Sequence, residues 1–263
     1  MADLPDYERP PVTEVVVAVQ FIPVPQFGMR EAVAVSRAFD GWEMVDVQPA
    51  LEPIIEPPPG QLATSALRFG LGMPPVRVIL SSESERWLAQ VQQDRLVVHE
   101  RRLGERPTFA HVAEKVHEVA ARAGRGLGKA LLAPPNAPEL VEVIYDNTIA
   151  AGEGWAEFSE LHRVLHIVNA RGGVAPYGRV EQLQIGFSYA LTDREGFVGR
   201  LRVVAEPRVA ADGSRSIHLQ LISRRIVHNH DLDSVLEQSH VDIVNGFTAV
   251  TTERMHEIWG RFR

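Results

Sequence analysis

The sequence predicts an α+β protein of two halves, each a set of antiparallel strands covered by a long helix. Three observations lead there. β-Branched and aromatic runs bounded by turn residues recur along the chain. Helical periodicity is strongest at Pro107 to Ala123 and again at Asp233 to Phe262. Both helices close the same order of elements, strand, helix, antiparallel strands, long helix, on either side of a proline-rich stretch. The division read from this is a tail at 1–11, a first half at 12–130, a linker at 131–138 and a second half at 139–263.

Val12 to Ile22 reads as the first strand, ended by Pro23. Met29 to Phe39 suits a short helix. Leu62 to Leu71 suits a strand between proline- and glycine-rich turns. Val76 to Ser81, Arg86 to Gln92 and Arg95 to Arg101 follow as antiparallel strands, with Gln93-Asp94 as the tight turn between the last two. Phe109, Val112, Val116, Val119 and Ala120 then mark one apolar helix face, and Gly124, Gly126 and Gly128 end the helix.

In the second half Leu140 to Ile149 is a strand, and Gly154 to Val168 holds a helix and a short extended piece. Val180 to Leu191, Phe197 to Ala205 and Ser216 to Val227 are long strands. The last helix carries Leu236, His240, Ile243, Val244 and Phe247 on one stripe, with breaks expected at Gly246 and Thr251-Thr252. No residue-level repeat between the halves is visible. Similar element orders occur in saddle folds such as the TATA-binding protein and in helix-grip folds; two domains and one continuous sheet both remain open.

The 263 residues, 45% hydrophobic and 23% charged, are enough for a sizeable core. A net charge of −7 gives no general attraction to nucleic acid or acidic membranes. The absence of cysteine removes disulfides, thiolate metal sites and cysteine nucleophiles. The opening is acidic and proline-rich rather than signal-like, and no apolar run approaches the roughly 20 residues that cross a bilayer. The expected location is the cytoplasm.

Four segments carry a resemblance: PPVTEVVVAVQF (Pro10 to Phe21), QVQQDRLVVHERR (Gln90 to Arg102), EVIYDNTI (Glu142 to Ile149) and LEQSHVDIVNGFTAVTTERMHEIWG (Leu236 to Gly260). In these the chain resembles a sporadically distributed family of uncharacterised bacterial proteins, with a PPVxEVVxxVQF-like opening and an HxxIxxxFxxxTTxxMHxxWG-like C-terminal helix. The second segment departs from the family pattern, with His99-Glu100-Arg101 where an Asn-Trp-Arg-like run is common. The resemblance implies a bacterial origin and one shared architecture, and no activity.

Two clusters carry candidate chemistry. Near the last helix lie His228, His230, Asp231, Asp233, Glu237, His240, Asp242 and His256. Imidazoles and carboxylates suit a divalent transition metal, and Glu237 and His240 share a helix face, so His230, Glu237 and His240 form a candidate metal site with Asp231 behind them. The plainer explanation is that Asp231 or Asp233 caps the helix and His240 sits in the core. No H-E-x-x-H spacing is present.

The other cluster is a sheet face. Strand alternation places Gln184, Ser188, Arg200, Arg202, His218, Gln220 and Arg224 opposite the apolar rows, as a cationic surface for a small polar ligand, a phosphate-bearing ligand or an acidic partner. A solvated face explains the same pattern, and no aromatic residues interleave it for stacking bases. Glu14, in an apolar strand, suits a buried carboxylate paired with an arginine such as Arg101, while Tyr145, Asp146 and Asn147 suit a strand end facing a cleft between halves or, more plainly, turn formation and sheet hydrogen bonds. Trp259 and Phe262 suit an apolar contact in a homodimer.

The expected function is therefore a non-catalytic binding or assembly protein for a protein partner or small polar ligand, with no cofactor. The alternatives are a metal-dependent enzyme at the His/Glu cluster and nucleic-acid binding by the cationic face, the last disfavoured by the net charge.

Overall fold

The computed structural model describes residues 4–61, 75–168, 184–194, 196–228 and 230–262. The apolar run of the opening becomes β1 (Val12–Phe21), followed by α1 (Met29–Arg37) and β2 (Trp42–Pro49). Then come β3 (Val76–Ser82), β4 (Trp87–Gln92), β5 (Arg95–Arg101) and α2 (Phe109–Leu127). The second half has β6 (Pro138–Ala150), a 3₁₀ turn (Phe158–Arg163), β7 (Ile185–Asp193), β8 (Gly196–Val209) and β9 (Arg215–Ile226). Helices α3 (Leu232–Val250) and α4 (Glu253–Ile258) end it.

All nine strands join one antiparallel sheet in the order β2-β3-β4-β5-β1-β6-β9-β8-β7. The first strand of each half lies at the centre, and the later strands of that half run outward in reverse order. The halves meet where β1 pairs with β6, with Val17 opposite Val143. The two halves thus share one sheet.

Alternation decides which face is covered. Val15, Val17, Val19 and Phe21 of β1 are buried together with Leu96 and Val98, Val141 and Val143, and Leu219 and Leu221. Above them lie Val112, Val116 and Val119 of α2 and Leu236, Ile243 and Phe247 of α3, because these residues recur on one face of each helix. Helix α2 contacts β5 and β1, and α3 contacts β6, β9 and β8. Each such side chain contributes about 1.5–3 kcal/mol on burial. On the opposite face Val16, Ala18 and Val97 form only a small separate apolar cluster with Ile144.

Several sequence expectations change. Strand β2 was missed because it is an edge strand, largely exposed, with little alternation to betray it. The stretch Gly154 to Val168 contains one short 3₁₀ turn rather than a longer helix. The last helix breaks at Thr251-Thr252 and runs unbroken through Gly246, with Thr252 capping α4. Thr108, not Pro107, starts the helical boundary, since its hydroxyl accepts from His111 N. The expected strand Leu62 to Leu71 and the first residues of Val180 to Leu191 lie outside the described residues. Trp259 is withdrawn from any outward contact: it is buried, with its ring 5.1 Å from Phe247 and 6.2 Å from Tyr7. Among the described residues no helix is long and apolar enough to cross a membrane.

Candidate functional site

The residues Arg200, Arg202, His218, Gln220 and Arg224 do project from the face opposite α2 and α3, as their alternation with Leu201, Val203, Leu219 and Leu221 requires. They separate into two polar clusters, one at each end of the strands.

The first cluster is centred on the junction of the halves. Glu14 of β1 and Asp146 of β6 are directly opposite each other in the ladder. Glu14 Oε1 accepts from His99 Nδ1 at 3.0 Å and faces Arg101 Nε at 3.5 Å. Asp146 Oδ1 accepts from His218 Nε2 at 2.8 Å and from Gln220 Nε2 at 2.9 Å. The second ring nitrogen of each histidine is also engaged: Gln90 Nε2 donates to His99 Nε2 at 3.1 Å, and Arg208 Nη2 to His218 Nδ1 at 2.8 Å. Amide and guanidinium nitrogens can only donate, so the ring nitrogen facing them accepts and the other nitrogen of each imidazole donates to the carboxylate.

These contacts correspond position by position between the halves. Arg101 lies opposite Glu14, and Gln220 opposite Asp146. His99 lies opposite Val16 and His218 opposite Thr148, in both cases two residues past the carboxylate. Gln90 and Arg208 lie opposite Val97 and Ser216, each two residues before its histidine. A local repeat is therefore present in space although the residue types differ enough to hide it in the sequence. The four central side chains keep 17–25% exposure. Among the described residues, Glu14 Oε2 and Asp146 Oδ2 have no hydrogen-bonding partner.

The second cluster lies toward the other strand ends, beneath an extended strap running from Leu51 to Pro57. Leu51 N donates to Gln92 Oε1 at 2.9 Å, and Ile54 N to Gln20 Oε1 at 2.7 Å. Arg95 Nη2 donates to Glu52 O at 2.6 Å and Arg200 Nη2 to Pro57 O at 2.6 Å. Glu56, its side chain fully buried, accepts from Arg200 at 2.5 Å, Arg202 at 2.7 Å and Arg224 at 3.2 Å. Arg224 also pairs with Glu142. The cationic surface expected from the sequence is thus largely neutralised within the chain. Gln184 donates to Glu206 at 2.9 Å, and Ser188 is exposed opposite Arg202 in the ladder.

The His/Glu cluster at the last helix is dispersed. Asp231 is the cap, accepting from Asp233 N at 3.0 Å, and Asp242 binds Arg225 at 2.6 and 2.9 Å. His230 and Glu237 are exposed, whereas His240 turns inward. Its Nδ1 meets the Tyr145 hydroxyl at 3.1 Å and its ring stacks on Phe109 at 4.4 Å. Burial pulls the His240 pKa down to about 4 and pushes the Tyr145 hydroxyl above its usual value. Among the described residues no three His, Asp or Glu side chains form a group that could hold a metal ion.

Fold and site together describe an α+β protein with a single antiparallel sheet and a polar central face. No family model and no curated protein matches the chain. Among solved structures it is similar to the crystal structure of DynU16, from the dynemicin biosynthetic locus, with 14% identity over 94% of this chain and 99% of that chain and a TM-score of 0.26. A likeness that weak says nothing about what this chain does.

Proposed function

We propose that the chain is a binding protein that takes a small polar ligand on the helix-free sheet face, with Glu14 and Asp146 as the recognising pair. One observation carries this: all four ring nitrogens of His99 and His218 are engaged by protein groups, while one oxygen of each carboxylate is unengaged among the described residues. A general base needs a free nitrogen within reach of a substrate proton, and neither imidazole offers one. What the cluster does offer is two hydrogen-bond acceptors with negative charge, held on rigid strands. Ammonium, guanidinium and amide groups complement them.

In the same proposal the sheet curves as a saddle, the protein works in the cytoplasm, and the chain belongs with the bacterial family it resembles in four segments.

A thermal-shift screen of amines, amino sugars and amides on the wild type and on Glu14→Gln with Asp146→Asn tests the proposal. Compounds that stabilise the wild type should lose their effect on the double variant. Equal stabilisation of both proteins would move recognition elsewhere.

A further inference from the structure

The strap and the arginines beneath it have no part in donor recognition at Glu14 and Asp146. From β4 to β8 the sheet advances five strand spacings, about 24 Å. Seven extended residues reach roughly 20–25 Å, a length comparable with this span. The strap's contacts to Gln92, Arg95, Gln20 and Arg200 are made by side chains rising from the sheet, not by a strand ladder.

The apolar contribution to this docking is partial: Leu51 is 40% and Ile55 46% exposed, while Pro53, Ile54 and Pro57 are half-buried. The charges beneath are unbalanced. Arg77, Arg95, Arg200, Arg202 and Arg224 face Glu56, Glu142 and Asp94, five cations against three carboxylates among the described residues. Arg95 is 5% exposed, and its Nε, like that of Arg202, is buried with no hydrogen-bond partner among the described residues. An apolar contact would tie down a loop at lower desolvation cost than several buried guanidiniums. Three guanidiniums converging on one carboxylate is instead the arrangement that binds an oxyanion, through charge-assisted and often bidentate bonds.

We infer that Arg200, Arg202 and Arg224 form a binding site for the carboxylate or phosphate group of a ligand, and that the strap holds it shut by supplying Glu56 as an internal occupant. An incoming oxyanion competes with Glu56 for the same donors. Once Glu56 is displaced, the strap keeps only its side-chain hydrogen bonds and the partial burial of Pro53, Ile54 and Pro57, and it lifts from the sheet.

Hydrogen exchange of the intact wild-type chain, read by mass spectrometry over residues 50–61, tests this directly. The strap amides of Leu51 and Ile54 should exchange several-fold faster in sodium phosphate than in sodium chloride of equal ionic strength. Acceleration by phosphate alone assigns a phosphate group, and acceleration by sodium acetate as well extends the site to carboxylates. Unchanged exchange in both, or the same acceleration in chloride, overturns the inference. As a second measurement, Glu56→Gln should show fast strap exchange without added anion and should bind phosphate by calorimetry. Arg200→Gln with Arg202→Gln should abolish the phosphate response.

Discussion

Glu14 of β1 and Asp146 of β6 face each other across the ladder that joins the two halves, and each accepts a hydrogen bond from a histidine on the next strand outward. Like charges placed opposite each other in a sheet are ordinarily destabilising, by a few tenths to about 1 kcal/mol. Here each carboxylate has its own donors, so the pair is held rather than pushed apart. Replacing both, as Glu14→Gln with Asp146→Asn, should leave unfolding stability within about 1 kcal/mol of the wild type. Urea denaturation checks this, and it confirms that any loss of ligand response in that variant is not a loss of fold.

Two buried carboxylates should respond differently to truncation. Glu100 lies within β5, its side chain fully buried, and accepts from Arg86 at 2.6 Å and from Thr108 N at 2.9 Å. Glu100→Ala leaves Arg86 with Glu105 alone, at 2.7 Å, and strips Thr108 N of its acceptor, and should cost about 1–3 kcal/mol. Glu56→Ala should cost markedly less, because the strap can lift and let water reach the arginines. Denaturant midpoints of the two variants, measured side by side, give the comparison.

His240 makes stability depend on pH. Its folded pKa of about 4 lies below the ordinary histidine value of about 6.5, so the unfolded chain takes up the proton first. Its contribution is complete above pH 6.5, is lost as pH falls toward 4, and does not change further below that. The loss should approach about 3 kcal/mol over the window. Stability curves of wild type and His240→Gln at several pH values should differ in slope only there.

Gly199 and Gly246 should differ sharply when a methyl group is added. A Cβ at Gly199, where φ is +152°, would lie 1.9 Å from the Arg224 carbonyl oxygen on the neighbouring strand. Gly199→Ala must force β8 from β9 beside Arg200 and Arg224, and should cost more than about 3 kcal/mol. A Cβ at Gly246 would meet only the Leu201 and Leu221 methyl ends, at 2.6 and 3.3 Å. Those side chains can rotate, and the gain in helix propensity offsets about 1 kcal/mol, so Gly246→Ala should cost less than about 2 kcal/mol. Thermal melts of the two variants rank them.

Local pattern was a sound guide wherever one face of an element is buried. Val12 to Ile22, Arg95 to Arg101 and the α2 stripe were readable because burial concentrates β-branched and apolar residues in a strand and sets them at a period of about 3.6 along a helix. The edge strand β2 escaped because exposure imposes no such period. The pairing of Glu14 with Arg101 was anticipated and is present at 3.5 Å, but the part played by His99 was not, since nothing local relates it to Glu14. Glu56 was missed altogether. A lone glutamate among prolines carries no pattern that points to arginines about 145 to 170 residues further along.

The sequence by itself determined the α+β class, most of the order of elements, and which side of β7, β8 and β9 turns toward the helices. It did so because side-chain hydrophobicity acts through the period of the local backbone. Only the tertiary structure decided that the two halves form one sheet, that Glu14 meets Asp146, and that Arg200, Arg202 and Arg224 close on Glu56. Those outcomes depend on strand order, on register and on the path of the strap. They are set by packing between segments far apart in the chain, where no local period exists to record them.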